Sequence, residues 1–183
     1  MSELIVETWP TSLATERLEI REPREEDRDG LIDLHTSPEV RRHLGGPVPR
    51  ELAEEGITGP YGRIPGSFVV RENGSGSFVG IVDIDRRDSS RPGHILPTGD
   101  ELEVSYLLLP IYWGKGYAEE AVRAVLGWAA STLPDTQVVA VTQVANARSM
   151  ALLERLGFTE VERFPEFGAE QSLCVAELYS FRR

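Results

Sequence analysis

In "RLEIREP", Leu18 and Ile20 alternate with charged neighbours and stop at Pro23, the period of a half-buried first strand. The period then changes. From Glu25 the apolar residues Leu31, Ile32 and Leu34 recur near helical spacing, and "TSPEVRRHL" restarts with Ser37 as a cap and Pro38 at the first helical position, which predicts two short helices. Residues 45 to 66 are rich in Gly and Pro, with a helical turn around "PRELAEEG", and read as a loop-rich wall able to line a cleft. "SFVVRENGSGSFVGIVDID" predicts two strands joined by a turn from Asn73 to Gly76. The polar "RRDSSRPGHILPTG" that follows reads as an exposed connection.

"ELEVSYLLLP" puts Leu102, Val104, Tyr106 and Leu108 on one face of a strand and Glu101, Glu103 and Ser105 on the other. The alternation fails from Leu107 to Leu109, so that end is expected to be buried or bulged before Pro110 stops it. Ala118, Ala121, Val122, Val125 and Ala129 then form the core stripe of a helix that ends before Pro134. "QVVAVTQV" is a buried strand, "NARSMALLERLG" a helix opened by Asn146 and closed by Gly157, and "FTEVERF" and "SLCVAELYSF" two more strands. The order β, α, α, β, β, β, α, β, α, β, β predicts an α/β (α+β) fold: a mixed sheet of about seven strands with about four helices packed on it.

Composition narrows the classes. The 183 residues suit a single domain, 1–183, with a core large enough to need no disulfide or metal. Nineteen basic against 30 acidic side chains leave a formal charge of −11, which argues against a nucleic-acid partner and fits a cationic one. The single cysteine, Cys174, rules out an internal disulfide and points to a reducing, cytoplasmic setting. "MSELIVETWP" lacks the charged and apolar regions of a leader, and no run approaches the ~18 to 20 apolar residues of a membrane span.

One turn carries the candidate chemistry. "IYWGKGYAEEA", between the 101–109 strand and the helix from Tyr117, places Gly114 and Gly116 where backbone N–H groups and the positive end of a helix dipole meet. That arrangement suits a phosphate or pyrophosphate, with Lys115 adding charge, although a tight turn with no ligand uses the same glycines. Position 119 is Glu119 where a dinucleotide fingerprint wants Gly or Ala, and no Gly-Lys-Ser/Thr of a P-loop is present.

"YLLLPIYWGKGYAEEA", followed by "VANARSMALLERLGF", resembles the GCN5-related N-acetyltransferases (GNAT superfamily). The opening "TERLEIREPREEDRDGLIDLHTSPEVRRHLG" is similar to the branch containing the ribosomal-protein N-terminal acetyltransferases, and the similarity runs from about Thr15 to Phe181. The resemblance implies the GNAT fold, with a mostly antiparallel central sheet, and acetyl-CoA as co-substrate. It maps the family's Gln/Arg-x-x-Gly-x-Gly/Ala loop onto Trp113, Gly116 and Ala118, with Trp113 departing from the usual Gln or Arg. By that mapping the amides of Gly114, Lys115, Gly116, Tyr117 and Ala118 hold the pyrophosphate, the strand end at Leu107, Leu108 and Leu109 pairs with the pantetheine arm, and Asn146 reaches it from the next helix. Asn is also a preferred helix cap, and both roles can coexist. Many relatives carry a general-acid Tyr where this chain has Leu153, so the thiol-contacting role passes to Ser149.

Acetyl transfer to an amine needs a group that removes the ammonium proton and one that meets the departing thiolate. Glu103, on the strand beside the thioester site, is the candidate proton acceptor, with Asp83 and Asp85 weaker candidates on a neighbouring strand. Ser149 is the candidate for the sulfur, and Tyr106 and Tyr179 are possible substitutes that sequence does not place. His35, His43 and His94 show no metal spacing, and Cys174 reads as a buried thiol, so no metal is expected. The expected activity is transfer to a primary amine, either a protein N-terminus or a small cationic amine, by direct attack in a ternary complex. The alternatives are a sensor that binds acetyl-CoA without turnover and an unrelated phosphate-binding α/β protein. Glu51, Glu54, Glu55, Glu166 and Glu170 supply negative charge for a cationic acceptor, and the resemblance implies a homodimer through edge pairing of the last strands.

Overall fold

The computed structural model describes Ile5, Glu7, Trp9, residues 12–57 and residues 64–182. Residues 58–63 of the expected 45–66 wall, and most of the N-terminal stretch, lie outside the described residues. Among the described residues, eight strands form one sheet in the order β1-β2-β3-β4-β5-β6-β8-β7. They are β1 (Leu13–Ala14), β2 (Leu18–Arg21), β3 (Ser67–Glu72), β4 (Phe78–Arg86), β5 (Leu102–Leu108), β6 (Gln137–Gln143), β7 (Thr159–Glu166) and β8 (Ala169–Glu177). Among the described residues from 12 onward, four α-helices flank it: α1 (Arg28–Thr36), α2 (Arg50–Gly56), α3 (Tyr117–Thr132) and α4 (Ala147–Leu156). All neighbouring pairs are antiparallel except β5 and β6. No helix among the described residues is long and apolar enough to cross a membrane.

The mixed, mostly antiparallel sheet agrees with the expected fold class, and three local details differ from expectation. The helix expected from Ser37 is only a 3-10 turn, Val40–His43, because the left-handed Gly45 and Gly46 follow at once; the helix forms instead at Arg50–Gly56. The connection between the strands read from "FTEVERF" and "SLCVAELYSF" is not a long loop but a two-residue turn, Phe167–Gly168 at φ 52° and 73°, which lets β7 and β8 stay paired to their ends. The bulge lies in β4 at Val79, where Arg71 pairs with Phe78 and Val70 with Gly80. Strand β5 keeps an unbroken register with β4 through Leu108. Its alternation is lost because both faces are covered there: Leu108 joins the core under α3, while Leu107 and Leu109 pack with Leu31 and Leu34 of α1.

Each face of the sheet is closed by a helix pair with a sequence reason for its place. Helix α3 starts at the left-handed Gly116, carries Glu119 and Glu120 in its first turn where they complement the dipole, and buries Tyr117, Ala121, Val122, Val125, Leu126, Ala129 and Ala130. Small residues in that stripe bring the helix close to the sheet. Helix α4 is capped by Asn146, whose side chain accepts from the Ser149 N–H, and closes at Gly157 with φ 90°. Helix α1 covers the opposite face over Val69 and Ile81. Beneath it, Arg21 on β2 and Arg71 on β3 both bind Asp27, which is fully buried, at 2.7 and 2.6 Å.

Candidate functional site

The parallel pair β5 and β6 is joined at one register position only, Glu103 against Val139. Beyond it the two strands diverge, and the sheet opens at its centre. The strand end, the glycine turn and the first turns of α3 and α4 gather around this opening.

The glycine turn has the geometry of an anion cradle. Gly114 and Gly116 have φ of 73° and 80°, a region L-residues rarely adopt, and a Cβ on Gly114 would meet nothing within 4 Å. No side chain caps α3 at Gly116, so its first-turn amides are not taken by a cap. The turn is braced from behind by Arg17, which donates to the Lys115 carbonyl at 2.9 Å and to Glu120 at 2.7 Å, and lies 4.7 Å over the Tyr117 ring. Glu120 also accepts from the Arg17 N–H and the Thr15 hydroxyl, and the Tyr117 hydroxyl donates to Glu72. Trp113 is a brace too: its indole N–H donates to the Leu108 carbonyl at 2.8 Å, and the exposed Arg148 of α4 lies 4.8 Å over its ring. Lys115 lies 5.3 Å from the Tyr112 ring centre. Two cations beside uncapped amides and an open left-handed glycine fit a diphosphate.

The strand-end residues are only in part available to a ligand. The Leu109 N–H is given to Val79 and the Leu108 carbonyl is taken by Trp113, so neither group pairs with a ligand unless it first gives up those bonds. Ser149, in the first turn of α4, faces the opening and pairs with the hydroxyl of Tyr106 from β5 at 2.7 Å. Burial pushes Tyr106 up to about 12, against the Ser149 hydrogen bond. Asn146 stands as the cap it was expected to be, with its Oδ1 on the Ser149 N–H at 3.2 Å. Leu153 is buried in the core, and Tyr179 lies exposed in the C-terminal 3-10 turn.

On the other face of β4 and β5 a cavity of about 160 Å³ is lined by Asp83, Asp85, Glu103, Ser105 and Arg91. Register makes this cluster: Asp83 is opposite Ser67 on one side and Ser105 on the other, and Asp85 is opposite Glu103. Ser67 donates to Asp83 at 2.6 Å. Burial raises Asp83 to about 6, helped by the Asp85 charge and opposed by the two serines. Glu103 is also pushed up by burial, opposed chiefly by Arg87, whose buried guanidinium binds it at 2.9 Å. Arg91 is engaged by Glu166 at 2.9 Å. The two arginines therefore have carboxylates of their own, while Asp83 holds only hydroxyls.

Other expected residues do structural work. Glu101 is buried and accepts from the Ile95 and Leu96 amides and from His94, which folds the 87–101 connection back on the sheet. Glu54 pairs with Arg50, and Glu170 lies 3.7 Å from Arg163. Cys174 is buried, 3.4 Å from the Ser172 hydroxyl. Among the described residues no cluster of three metal-ligating side chains is assembled.

A family model described as an acetyltransferase (GNAT) domain matches residues 17–159. FsC-acetyl coenzyme A-N(2)-transacetylase of Aspergillus fumigatus is 28% identical over 166 residues, 88% of this chain and 70% of that protein. A GNAT-family acetyltransferase from Bacillus anthracis superposes with a TM-score of 0.76 at 19% identity, over 92% of this chain and 99% of its own. Spermidine N-acetyltransferase from Vibrio cholerae, solved with CoA and spermine, superposes with a TM-score of 0.67 at 18% identity, over 91% and 99%.

Proposed function

Because the chain belongs to the GNAT acetyltransferase family and is an acetyl-CoA-dependent N-acetyltransferase, we propose that its acceptor is a primary amine bound as a cation in the Asp83 pocket. The observation that carries this reading is Asp83 itself, a half-buried carboxylate beside Asp85 that faces a cavity and is paired with no cation among the described residues. A bound ammonium would supply that charge. The spermidine acetyltransferase, a structural neighbour, is a protein solved with a polyamine.

Acetyl-CoA supplies the thioester. The chain holds its diphosphate with the Gly114–Ala118 amides, aided by Lys115 and Arg148, and its pantetheine along β5 near Leu107 and beside Asn146. Asp83 takes the ammonium proton, directly or through one water, and so frees the lone pair that attacks. Glu103, held by Arg87, keeps the pocket negative and steers the amine; its ion pair makes it the weaker proton acceptor of the two. Ser149 faces the sulfur and meets the charge that develops on it.

An acetylation assay over a polyamine, a neutral primary amine, an acidic amino acid and a peptide N-terminus tests this reading. We expect the polyamine or a basic peptide to be turned over with a kcat/KM at least about tenfold above the neutral amine, a difference of ~1.4 kcal/mol. Preference for the acidic amino acid would refute it. Separately, Arg17→Ala unhooks the glycine turn without touching the opening. It is expected to raise the KM for acetyl-CoA about five- to tenfold, as one charge-assisted hydrogen bond to a carbonyl implies, and to leave kcat within about twofold. Steady-state kinetics at saturating amine measures both.

A homodimer through the last strands has to overcome the outer edge of β7. Glu160, Glu162 and Arg163 line it, and Val161 bulges out of register. Charge and a bulge both oppose edge pairing, so we propose that any dimer forms elsewhere.

A further inference from the structure

Tyr106 and Ser149 come from elements 43 residues apart, yet their hydroxyls meet at 2.7 Å at the mouth of the opening between β5 and β6. Neither is needed there for packing alone. The ring of Tyr106 lies against the core, and a phenylalanine would fill the same space.

We infer that Tyr106 is a positioning residue: its phenol donates to Ser149 Oγ and thereby turns the Ser149 O–H toward the sulfur of bound CoA. The inference rests on the cofactor reading above. A serine hydroxyl has one proton and rotates freely. When its oxygen already accepts from a phenol, its own proton is left for another acceptor, and the chain of two donors polarises in that direction. The backbone under Ser149 is fixed as well, because its N–H is held by Asn146.

The surroundings keep the proton on Tyr106 that this role requires. Burial holds the phenol protonated across any working pH, and the groups that face it are Ser149, the Cys174 thiol of β8 and Arg155 of α4. Cys174 is itself pushed up by burial and stays a neutral thiol. One turn further along α4, Leu153 offers only hydrocarbon, so the hydroxyl pair is the donor that this helix face brings to the sulfur.

The chemical balance assigns the pair its task. The neutral amine forms the C–N bond to the carbonyl carbon, the C–S bond breaks, and sulfur leaves with the electron pair. Its charge is met by the Ser149 O–H until it takes the second proton lost by the nitrogen. Tyr106 keeps its own proton throughout, and its contribution is the direction and strength of the Ser149 donor.

Thiolate absorbance of CoA bound to the intact enzyme, with CoA-free protein subtracted, reads this without turnover. In the wild type we expect the bound thiol to titrate about one pH unit below free CoA, a tenfold gain in thiolate stability. Tyr106→Phe should lose most of that shift and Ser149→Ala all of it. The double variant should lose no more than Ser149→Ala, because both act through one donor. Calorimetric affinity for CoA below the thiol titration should stay within about twofold, while kcat of Tyr106→Phe falls about tenfold. Coincident titrations for wild type and Tyr106→Phe, or additive effects of the two substitutions, would overturn the inference and leave CoA binding intact. Failure of the wild type to bind CoA would overturn the cofactor reading and this inference with it.

Discussion

Replacing Asp83 with Asn is expected to lower kcat/KM by about 10²- to 10³-fold, the range of a lost general base, and at the same time to make the protein more stable. The two effects have one origin. Asp83 stands in the folded chain at about 6 against the 3.8 of a free aspartate, chiefly because burial disfavours its charge. The folded state therefore binds a proton more readily than the unfolded state between those values, and wild-type stability falls as pH rises through that window. Above about pH 6 the full cost is present, and below about pH 4 it is gone. A full conversion of that shift is ~3 kcal/mol; since Asp83 is only half-buried, ~1 to 2 kcal/mol is the expected gain for Asp83→Asn at pH 7, or about 2 to 8 °C in melting temperature.

Thermal melts of both proteins from pH 4 to 8, with kcat/KM over the same range, make the check. The stability gap should open with pH while the acid limb of the wild-type rate profile, expected near pH 6, disappears in the variant. Glu103→Gln should behave differently. It strands the buried Arg87 guanidinium, which costs about 3 kcal/mol, but keeps the acid limb. An Asp83→Asn protein that is less stable and fully active would remove Asp83 from the mechanism.

The second large effect is the response to acetyl-CoA. At 100 times its dissociation constant it should stabilise the protein by ~2.7 kcal/mol, raising the melting temperature by about 5 to 10 °C, with no rise for ATP or NAD. Gly116→Val should abolish that rise. Its φ of 80° is strained for a β-branched residue by ~1 to 2 kcal/mol, and the added carbon meets Arg17 at 3.3 Å. Gly114→Ala separates ligand from fold. Its Cβ touches no protein atom, so the ligand-free melt should fall by the φ strain alone while the acetyl-CoA rise shrinks to under half. A full rise in Gly114→Ala would move the diphosphate away from this turn.

Local signals made much of this legible. Asn146 as cap, Gly157 as stop, the stripe of α3 and the paired glycines are each written within a few residues, where helical period and backbone freedom operate. What register decides was not. Asp83 ranked below Glu103 because nothing near either residue shows that one is opposite two serines and the other bound to Arg87. The support that Arg17 gives to Lys115 spans 98 residues, and the Tyr106–Ser149 pair 43. Trp113 departs from the Gln or Arg that the resemblance implies, and nothing near it in sequence shows that its indole fixes the strand end that the turn leaves behind. The helix expected at Ser37 failed for a local reason that length conceals, since two left-handed glycines leave it no second turn.

The single joint between β5 and β6 also shapes how the chain is assembled. Strands β1 to β5 use only residues 13–108, β6 to β8 only residues 137–177, and α3 is the one crossing between them. The first half-sheet can thus form while the second is still being synthesised, with its β5 edge open until β6 arrives. A cut within residues 133–136 would divide the protein into two fragments, each with a contiguous half-sheet, that reassemble around α3. Acetyl-CoA, which we propose bridges the joint, would be the ligand that reports their union.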